Sequence, residues 1–383
     1  MQQANNRQHQ IFIAPFLNKK PVIIVAPLNW GLGHATRCIP LIHELLLQNA
    51  TVLLAGDGRS LTLLQQEFPQ LDSLPLPSYD IVYPARGQQM PVVMARQIPK
   101  ILRQIAREKE VINQMAAKCG AHAVISDNRY GCCLRGKPSV FITHQIFIQT
   151  PPALSFLSPV ILWLNRLFIH RFTACWIPDF NHPHNNLSGK LAHQKPLPGQ
   201  FYRFIGPLSR MKTTDIQPYK PPEFINPKIA IVLSGPEPQR TQLEELLLKQ
   251  VPALTQPVVM ARGITETNAM RQTGTWQIYD HLITPKLNSL LLQAEVVVAR
   301  SGYSTIMDLA ALGKKAVLIP TPGQTEQEYL AQRFMQQGVF YAALQNSLQL
   351  PGAIQQALQM NGLQCNKQNL LQNAVKTLIG SLI

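Results

Sequence analysis

The chain has 383 residues, 46% of them hydrophobic and 14% charged, which is the composition of a globular protein and excludes a disordered or fibrous one. This length exceeds one ordinary hydrophobic core and predicts two domains with a cleft between them. The 35 basic side chains outnumber the 20 acidic ones, so the chain attracts anions. Because the basic residues are scattered and show no RNA-recognition motif, nucleotide phosphates or an anionic membrane are favoured over specific nucleic-acid binding.

The cysteines and the N-terminal residues indicate in which cellular compartment the protein is expected to lie. No pair of cysteines has the spacing of a metal site, and the adjacent Cys132 and Cys133 make a poor disulfide pair. The cysteines are Cys38, Cys119, Cys132, Cys133, Cys175 and Cys365. We interpret them as reduced thiols of a cytoplasmic protein. Residues 1–20 lack the features of a signal peptide and are predicted to be a flexible leader.

Strands and helices alternate in the first predicted domain, residues 21–212. Apolar runs rich in β-branched residues predict strands, and helical apolar periodicity predicts helices. The predicted strands are 21–26, 50–54, 121–126 and 139–143, and the predicted helices are 38–48 and 97–118. This alternation predicts a parallel sheet with helices on both faces.

A second alternating series, residues 228–383, follows a proline-rich linker at 213–227. Its predicted strands are 228–233, 257–261, 294–300 and 315–320, and its predicted helices are 239–248, 288–293 and 304–312. One arrangement open to the last helix is to pack back on the N-terminal domain. The predicted fold class is α/β, with two Rossmann-like domains that face each other across a cleft.

Residues 153–172 form an apolar segment that is too short and too interrupted to span a bilayer of about 30 Å hydrocarbon thickness. Its aromatic and basic edges are typical of a helix that lies in the membrane interface. The alternative is a helix buried against the N-terminal sheet. The first alternative predicts peripheral contact with an anionic membrane at its inner face.

Polar loops after the N-terminal strands carry the candidate acceptor side of the cleft. His34 stands at a glycine loop, where we expect its side chain to be exposed, and the ordinary histidine pKa near 6.5 suits a general base. Asp127 and His144 each end a strand, where they could take part in the same chemistry as His34. The alternative is structural: Asp127 forms an Asx turn, and His144 is a loop histidine whose ring nitrogens are hydrogen-bonded within the fold. The candidate catalytic residues are His34, Asp127 and His144, and the acceptor-side loop residues are Gly31, Gly33, Asn128 and Arg129.

Loops after the C-terminal strands predict a phosphate site. A small-residue loop before a helix offers backbone N–H groups and hydroxyls to a diphosphate, and an acid one turn into the helix reaches ribose hydroxyls. A following Gln- and Glu-rich loop offers acceptors to sugar hydroxyls. The structural alternatives are that Asp308 interacts with the helix dipole and that the Gln and Glu side chains form a solvent-exposed helix start. These candidates are Ser234, Gly235, Arg300, Ser301, Gly302, Ser304, Thr305, Asp308, Gln324, Glu326, Gln327 and Glu328.

Residues 294–331 resemble the donor-binding half of the MurG-type glycosyltransferases and of the related diacylglycerol galactosyltransferases, in the order strand, Arg300-Ser301-Gly302, helix acid and Gln-rich loop. The resemblance implies the GT-B architecture, with Leu282 at the nucleotide base, Asp308 at the ribose and Gln327 with Glu328 at the donor sugar. Asp308 stands where the family commonly has Glu, and Glu328 replaces a usual Gln.

The resemblance implies transfer of a sugar with inversion, and we expect the donor to be UDP-linked. We expect the acceptor to differ from the peptidoglycan precursor, a lipid-linked molecule being one alternative. No Asp-x-Asp motif lies in a site loop, so we expect neither a metal nor a cofactor. His34 is the expected base, and the helix start at 301–305 is the expected electrostatic sink. One rival is a non-hydrolysing nucleotide-sugar epimerase. A second is a non-catalytic nucleotide-sugar-binding protein or membrane-associated scaffold.

Overall fold

The computed structural model describes residues 20–82, 84, 90–150, 152–213, 224, 226–363 and 369–382. Within these ranges the chain forms two seven-stranded sheets, each covered by helices, which confirms the predicted fold class. All of the predicted leader except Lys20 lies outside the described residues, as do most of the predicted linker and Cys365.

The N-terminal sheet is parallel throughout, with the strand order β3-β2-β1-β4-β5-β6-β7. Its strands are β1 (Val22–Pro27), β2 (Thr51–Gly56), β3 (Ser73–Pro75), β4 (Ala123–Asp127), β5 (Ser139–Ile142), β6 (Ala174–Ile177) and β7 (Tyr202–Phe204). Strand β1 is buried at every position. A continuous apolar run is what a parallel strand covered on both faces requires, because neither side of it meets water.

The helices of this domain are α1 (Gly33–Leu47), α2 (Gly58–Glu67), α3 (Met90–Lys118), α4 (Ser158–Ile169) and the short α5 (Lys190–His193). Helix α3 begins at Met90 rather than at the predicted residue 97. Proline is tolerated in the first turn of a helix, so Pro91 permits this earlier start.

The C-terminal sheet has the order β10-β11-β9-β8-β12-β13-β14. Its strands are β8 (Ile229–Val232), β9 (Val258–Ala261), β10 (Met270–Thr273), β11 (Trp276–Tyr279), β12 (Val296–Ala299), β13 (Lys315–Leu318) and β14 (Tyr341–Ala342). Its helices are α6 (Gln239–Gln250), α7 (Thr284–Gln293), α8 (Tyr303–Leu312), α9 (Thr325–Gln336), α10 (Leu350–Leu358) and α11 (Leu370–Gly380). Helix α11 lies against α1 of the other domain, where Gln48 Nε2 donates to the Gln372 carbonyl at 3.0 Å.

Each sheet has a switch point at which the strand order reverses, between β1 and β4 and between β8 and β12. Ligands of open α/β sheets bind beyond the carboxyl ends of the strands at such a point. His34 follows β1 and Asp127 ends β4, whereas Ser234 follows β8 and Ser301 follows β12. The topology therefore places the four predicted polar loops around one cleft.

Helix α4 is only partly buried. Asn165 and Ile169 face the protein, while Phe156, just before the helix, and Trp163 on it are 73% and 63% exposed. Of the two alternatives for this segment, burial against the protein therefore holds only for one side of the helix. In the described parts of the chain, no helix is long and apolar enough to cross a membrane.

Candidate active site

A cavity of about 840 Å³ lies between the two domains and is lined by residues of both. The domains meet directly beside it, where Ser304 Oγ donates to the Gly33 carbonyl at 2.8 Å. Tyr303 OH also donates to the Pro178 carbonyl at 2.9 Å. A Cβ added at Gly33 would lie 2.9 Å from Ser304 Oγ, so a glycine at this position allows the closest approach of the two loops.

His34 lies in the first turn of α1 and forms a pair with Asp127, with 2.7 Å between His34 Nδ1 and Asp127 Oδ1. The prediction that His34 is exposed on a loop is wrong, because its side chain is only 15% exposed. Its ring still lines the cavity. Asp127 is buried at the end of β4 and reaches the cavity through His34.

A third charged group, Arg37, completes this cluster. Its Nε and Nη2 donate to the two carboxylate oxygens of Asp127, and Nη2 also lies 2.9 Å from His34 Nδ1. Burial lowers the pKa of His34, the Arg37 charge lowers it further, and Asp127 opposes both. The pKa of Asp127, which burial alone would raise, is lowered by Arg37 and His34. The carboxylate is therefore ionised and the imidazole is neutral at neutral pH.

His144 links the N-terminal wall to the C-terminal domain. Its Nδ1 lies 3.2 Å from Arg37 Nη1, and its Nε2 lies 2.8 Å from Glu326 Oε1. Because a guanidinium only donates, Nδ1 of His144 accepts and Nε2 carries the proton toward Glu326. Its ring also stacks on Tyr303, with centroids 3.9 Å apart. Both nitrogens are engaged, so this contact orients the loops rather than leaving a free base.

The start of α8 forms the centre of the C-terminal wall. Gly302 precedes the helix, and in the described part of the chain no side chain caps its first turn. Gly302, Ser304 and Thr305 line the cavity, as do Ser234 and Gly235 across from them. An uncapped helix N-terminus with nearby hydroxyls is a site for an anion, because its backbone N–H groups and the helix dipole both favour negative charge.

Asp308 lines the same cavity one turn into α8 and accepts a hydrogen bond from Ser209 Oγ at 2.6 Å. Burial raises its pKa to about 6, and Arg210 and Ser209 oppose the shift. Arg210 lines the cavity too and donates to Thr284 Oγ1 at 3.0 Å. The carboxylate therefore sits in a polar corner formed by both domains.

The loop that leads into α9 divides its side chains between two environments. Gln324, Glu326 and Gln327 line the cavity. Gln327 Oε1 accepts from the Thr321 N–H at 2.9 Å, which fixes its amide. Glu328 instead accepts from the Gly323 N–H at 2.9 Å and does not line the cavity. The acid that faces the cleft is thus Glu326.

The Glycosyltransferase family 28 C-terminal domain matches residues 232–379. The UDP-N-acetylglucosamine--N-acetylmuramyl-(pentapeptide) pyrophosphoryl-undecaprenol N-acetylglucosamine transferase of Rhodopseudomonas palustris (strain BisB18) is 28% identical over 125 residues, which are 30% of this chain and 32% of that protein. The C-terminal part of the chain is therefore similar to family 28 glycosyltransferases, and the chain as a whole has the GT-B fold. Its match spans about a third of the length of the curated relatives.

Solved GT-B structures are similar over nearly the whole chain. The glycotransferase of kitacinnamycin superposes with a TM-score of 0.60 at 16% identity, covering 95% of each chain. MurG of Acinetobacter baumannii superposes with a TM-score of 0.51 at 13% identity, covering 94% of this chain and 99% of that one. At such identities the likeness shows the fold, and the residues of the cleft carry any argument about chemistry.

Five predicted site residues of this GT-B chain do not line the cavity, namely Asp127, Arg129, Arg300, Ser301 and Glu328. Glu328 is turned away, as described, and Ser301 is buried, with its Oγ donating to the Gln327 carbonyl at 2.8 Å. Arg300 is buried and donates to the carbonyls of Pro320 and Gln239 at 3.1 and 2.7 Å. These contacts hold the loops of the site together rather than contacting a ligand.

Arg129 was predicted to belong to the acceptor-side loop, but its side chain does not line the cavity. It is fully buried and pairs with Glu108 and Asp57, and Nη2 donates to the Pro77 carbonyl at 2.7 Å. Such a buried guanidinium with matched carboxylates fixes the fold of the loops around it. Its neighbour Asn128 does line the cavity, in a left-handed conformation with φ of 57°.

The cavity residues that were not predicted from the sequence include Arg37, Arg210 and Gly263. Arg37 lies three positions after His34, and the helical i, i+3 rule would have placed it on the same face. Gly263 has φ of 71°, and a Cβ there would lie 2.5 Å from the Leu233 carbonyl oxygen. In the described residues, no group of three or more His, Cys, Asp or Glu side chains is arranged to hold a metal ion.

Proposed function

We propose that this protein is a glycosyltransferase that moves a sugar from a UDP-linked donor to a hydroxyl of an amphiphilic acceptor, with inversion at the anomeric carbon. The observation that carries the proposal is that His34, which is paired with the buried Asp127, and the uncapped start of α8 line one cavity from opposite walls. A base on one wall and an anion site on the other are the two elements that transfer from a nucleotide donor needs.

The donor half of the proposal uses the C-terminal wall. The diphosphate lies against the first turn of α8 and the Ser234–Gly235 loop, which favour the negative charge that grows on the leaving nucleoside diphosphate. The ribose lies near Asp308 and the base near Leu282, both of which line the cavity. The relatives of Rhodopseudomonas palustris carry UDP-N-acetylglucosamine in their names, which supports uracil as the base. Helix-terminal amides supply the charge compensation, so we propose transfer without a metal ion.

The acceptor half uses the N-terminal wall. Asp127 accepts a hydrogen bond from the Nδ1–H of His34, which leaves the Nε2 lone pair available to the acceptor hydroxyl. The hydroxyl oxygen forms the new bond to the anomeric carbon as the bond from that carbon to the diphosphate oxygen breaks, and the hydroxyl proton passes to His34 Nε2. Attack from the face opposite the leaving group gives inversion.

The acceptor is amphiphilic because the cavity continues into an apolar wall. Helices α3 and α4 line it with Met90, Met94, Ile98, Val160, Ile161 and Leu164. Trp163, Leu167 and Phe156 are exposed beside this wall, and Arg166 and Arg171 flank them. Exposed aromatic and apolar side chains with basic neighbours are typical of a surface that lies on an anionic membrane. We therefore propose that the acceptor is drawn from a lipid surface.

The test is a nucleotide-release assay with UDP-, GDP- and TDP-sugars and 1,2-dioctanoylglycerol in mixed micelles as the acceptor probe, followed by mass spectrometry of the lipid. We expect one UDP-sugar to give a glycosylated lipid whose anomeric configuration is opposite to that of the donor. A donor converted to its epimer without acceptor would contradict the proposal in favour of an epimerase. Donor binding with no product from micelles or from a total membrane-lipid extract would contradict it in favour of a sugar-binding scaffold.

A further inference from the structure

Arg37 is more deeply buried than the histidines it contacts, with only 2% of its side chain exposed. Its fork meets Asp127 through two N–H groups, His34 Nδ1 at 2.9 Å and His144 Nδ1 at 3.2 Å. One guanidinium therefore touches three side chains that come from two different strand ends and from its own helix. Its planar, fixed set of donors suits such a junction better than a flexible ammonium would.

A buried carboxylate beside an imidazole ordinarily favours the imidazolium ion, because an opposite charge within about 4–6 Å stabilises the protonated ring. A histidine held in that state carries no lone pair and cannot act as a base. In this cluster the carboxylate is already neutralised by Arg37 on both of its oxygens. The pull of Asp127 on a second proton of His34 is therefore offset.

The burial of His34 and the Arg37 charge both lower the pKa of His34, and Asp127 opposes them. His144 adds a further small lowering. The titratable and charged groups that face His34 come from every element packed around it and are Arg37 and Cys38 on α1, Asp127 on β4, His144 after β5 and Glu326 on α9. Of these, Arg37 is the fixed cation in direct contact with the ring.

We propose that Arg37 is a positioning residue: its fork locks the Asp127 carboxylate and the His34 ring in one arrangement and keeps that ring uncharged and able to accept a proton. The inference rests on the proposed function only in calling His34 the base. The electrostatic part concerns the protein alone, so it can be measured without any substrate.

The test is a pH titration of histidine ¹⁵N resonances by NMR, in which the His34 signals are assigned by their loss in His34→Gln. Two variants separate charge from geometry: Arg37→Gln keeps hydrogen-bond donors and loses the charge, whereas Arg37→Lys keeps the charge and loses the fork. We expect His34 in the wild type to titrate below about 6.5, the ordinary histidine value. In Arg37→Gln its pKa rises by about one unit or more, because Asp127 then acts on the ring unopposed.

In Arg37→Lys the His34 pKa stays below the ordinary value, but the tautomer pattern of its two nitrogens changes because the fork is lost. An Arg37→Gln protein with native circular dichroism and an unchanged His34 titration would overturn the inference. Equal upward shifts in both variants would also overturn it, since the charge would then be irrelevant. If Arg37→Gln does not fold, the Lys variant decides alone: a His34 pKa above the wild-type value overturns the inference.

Activity gives a separate readout once a donor is found. The acid limb of the kcat/KM profile moves to higher pH in Arg37→Gln and is restored in Arg37→Lys. An expected NMR result with no turnover on any donor would leave the role of Arg37 in place and contradict the proposed function. Turnover with an unmoved NMR titration would do the opposite.

Discussion

The N-terminal wall of the cleft presents a cluster of charged side chains, whereas the C-terminal wall presents mainly backbone amides and hydroxyls, with two acids, Asp308 and Glu326. His34 and Arg37 are neighbours on α1, but Asp127 lies 90 residues after Arg37, and the three meet only where β1 and β4 adjoin. Ser301, Gly302 and Ser304 follow one another along the chain at the start of α8. The first wall is a tertiary construction and the second is a local one, so the two respond differently to substitution.

Replacing the base gives the largest expected effect on activity. His34→Ala removes the proton acceptor and lowers kcat by about 10²- to 10⁴-fold. Donor affinity, measured by calorimetry, is unchanged because His34 belongs to the other wall. His43→Ala is the matched control: His43 is exposed on the same helix and packs on Phe68 outside the cavity. Equal losses in both variants would contradict the assignment of His34.

Removing the carboxylate tests the tertiary construction itself. Asp127→Asn leaves the buried Arg37 without its counter-ion, so we expect the free energy of unfolding to fall by about 3–5 kcal/mol. Urea denaturation measures this change. Asp280→Asn provides a comparison, because Asp280 pairs with Arg262 in a more exposed setting. A smaller loss of stability for Asp127→Asn than for Asp280→Asn would show that the buried Arg37 does not depend on Asp127 as its counter-ion.

On the C-terminal wall, Asp308→Asn should weaken donor binding and stabilise the fold. The lost charged hydrogen bond to ribose lowers affinity by about 10-fold or more. The pKa of Asp308 is raised to about 6, so the folded state gains a proton relative to the unfolded one at pH values between its ordinary value and 6. Stability due to this group is therefore present at low pH and is lost as pH rises through 6.

Above pH 7 we thus expect Asp308→Asn to be more stable than the wild type, by about 1–2 kcal/mol after discounting for partial exposure. Below pH 4 the difference should vanish, since the wild-type carboxyl is then protonated too. Thermal unfolding across this range measures it. A variant that is less stable at pH 8 would show that the carboxylate is better satisfied than the burial of Asp308 indicates.

The smallest expected effect concerns the membrane face. Trp163→Ser removes a large exposed side chain beside the apolar wall and should lower binding to vesicles of anionic phospholipid by about 10-fold, with folding unchanged. Leu344→Ser is the control, because Leu344 is also exposed but lies in the C-terminal domain, between β14 and α10. Co-sedimentation at low and moderate salt measures the change. Equal binding by the wild type and both variants would contradict the proposal that this face contacts a lipid surface.

The same contrast explains what could be predicted from the sequence. The alternation of apolar runs predicted both sheets, and the local Ser301–Thr305 pattern predicted the helix start of the C-terminal wall. The hairpin of β10 and β11 was missed because all four residues of β10 are exposed and carry no apolar alternation. Arg129 was placed in the site because sequence proximity to Asp127 does not reveal that its side chain turns inward to Glu108.

Side-chain direction decides the remaining cases. Glu326 and Glu328 are two positions apart at the start of α9, and only the fold shows that the first meets His144 while the second turns back to Gly323. The role of Arg37 could not be predicted without knowing where β4 and the loop after β5 lie relative to α1. Local backbone features can thus be predicted from one segment of sequence, whereas a charged cluster can be predicted only once the strand order is known.

The measurement that tests the central claim most directly is a calorimetric titration of the wild type and Asp308→Ala with UDP-, GDP- and TDP-sugars. We predict that one UDP-sugar binds the wild type and that its affinity falls by about 10-fold or more in the variant. Absence of binding to every sugar nucleotide by a folded protein, or equal binding by the two proteins, would contradict a nucleotide-sugar site at the start of α8.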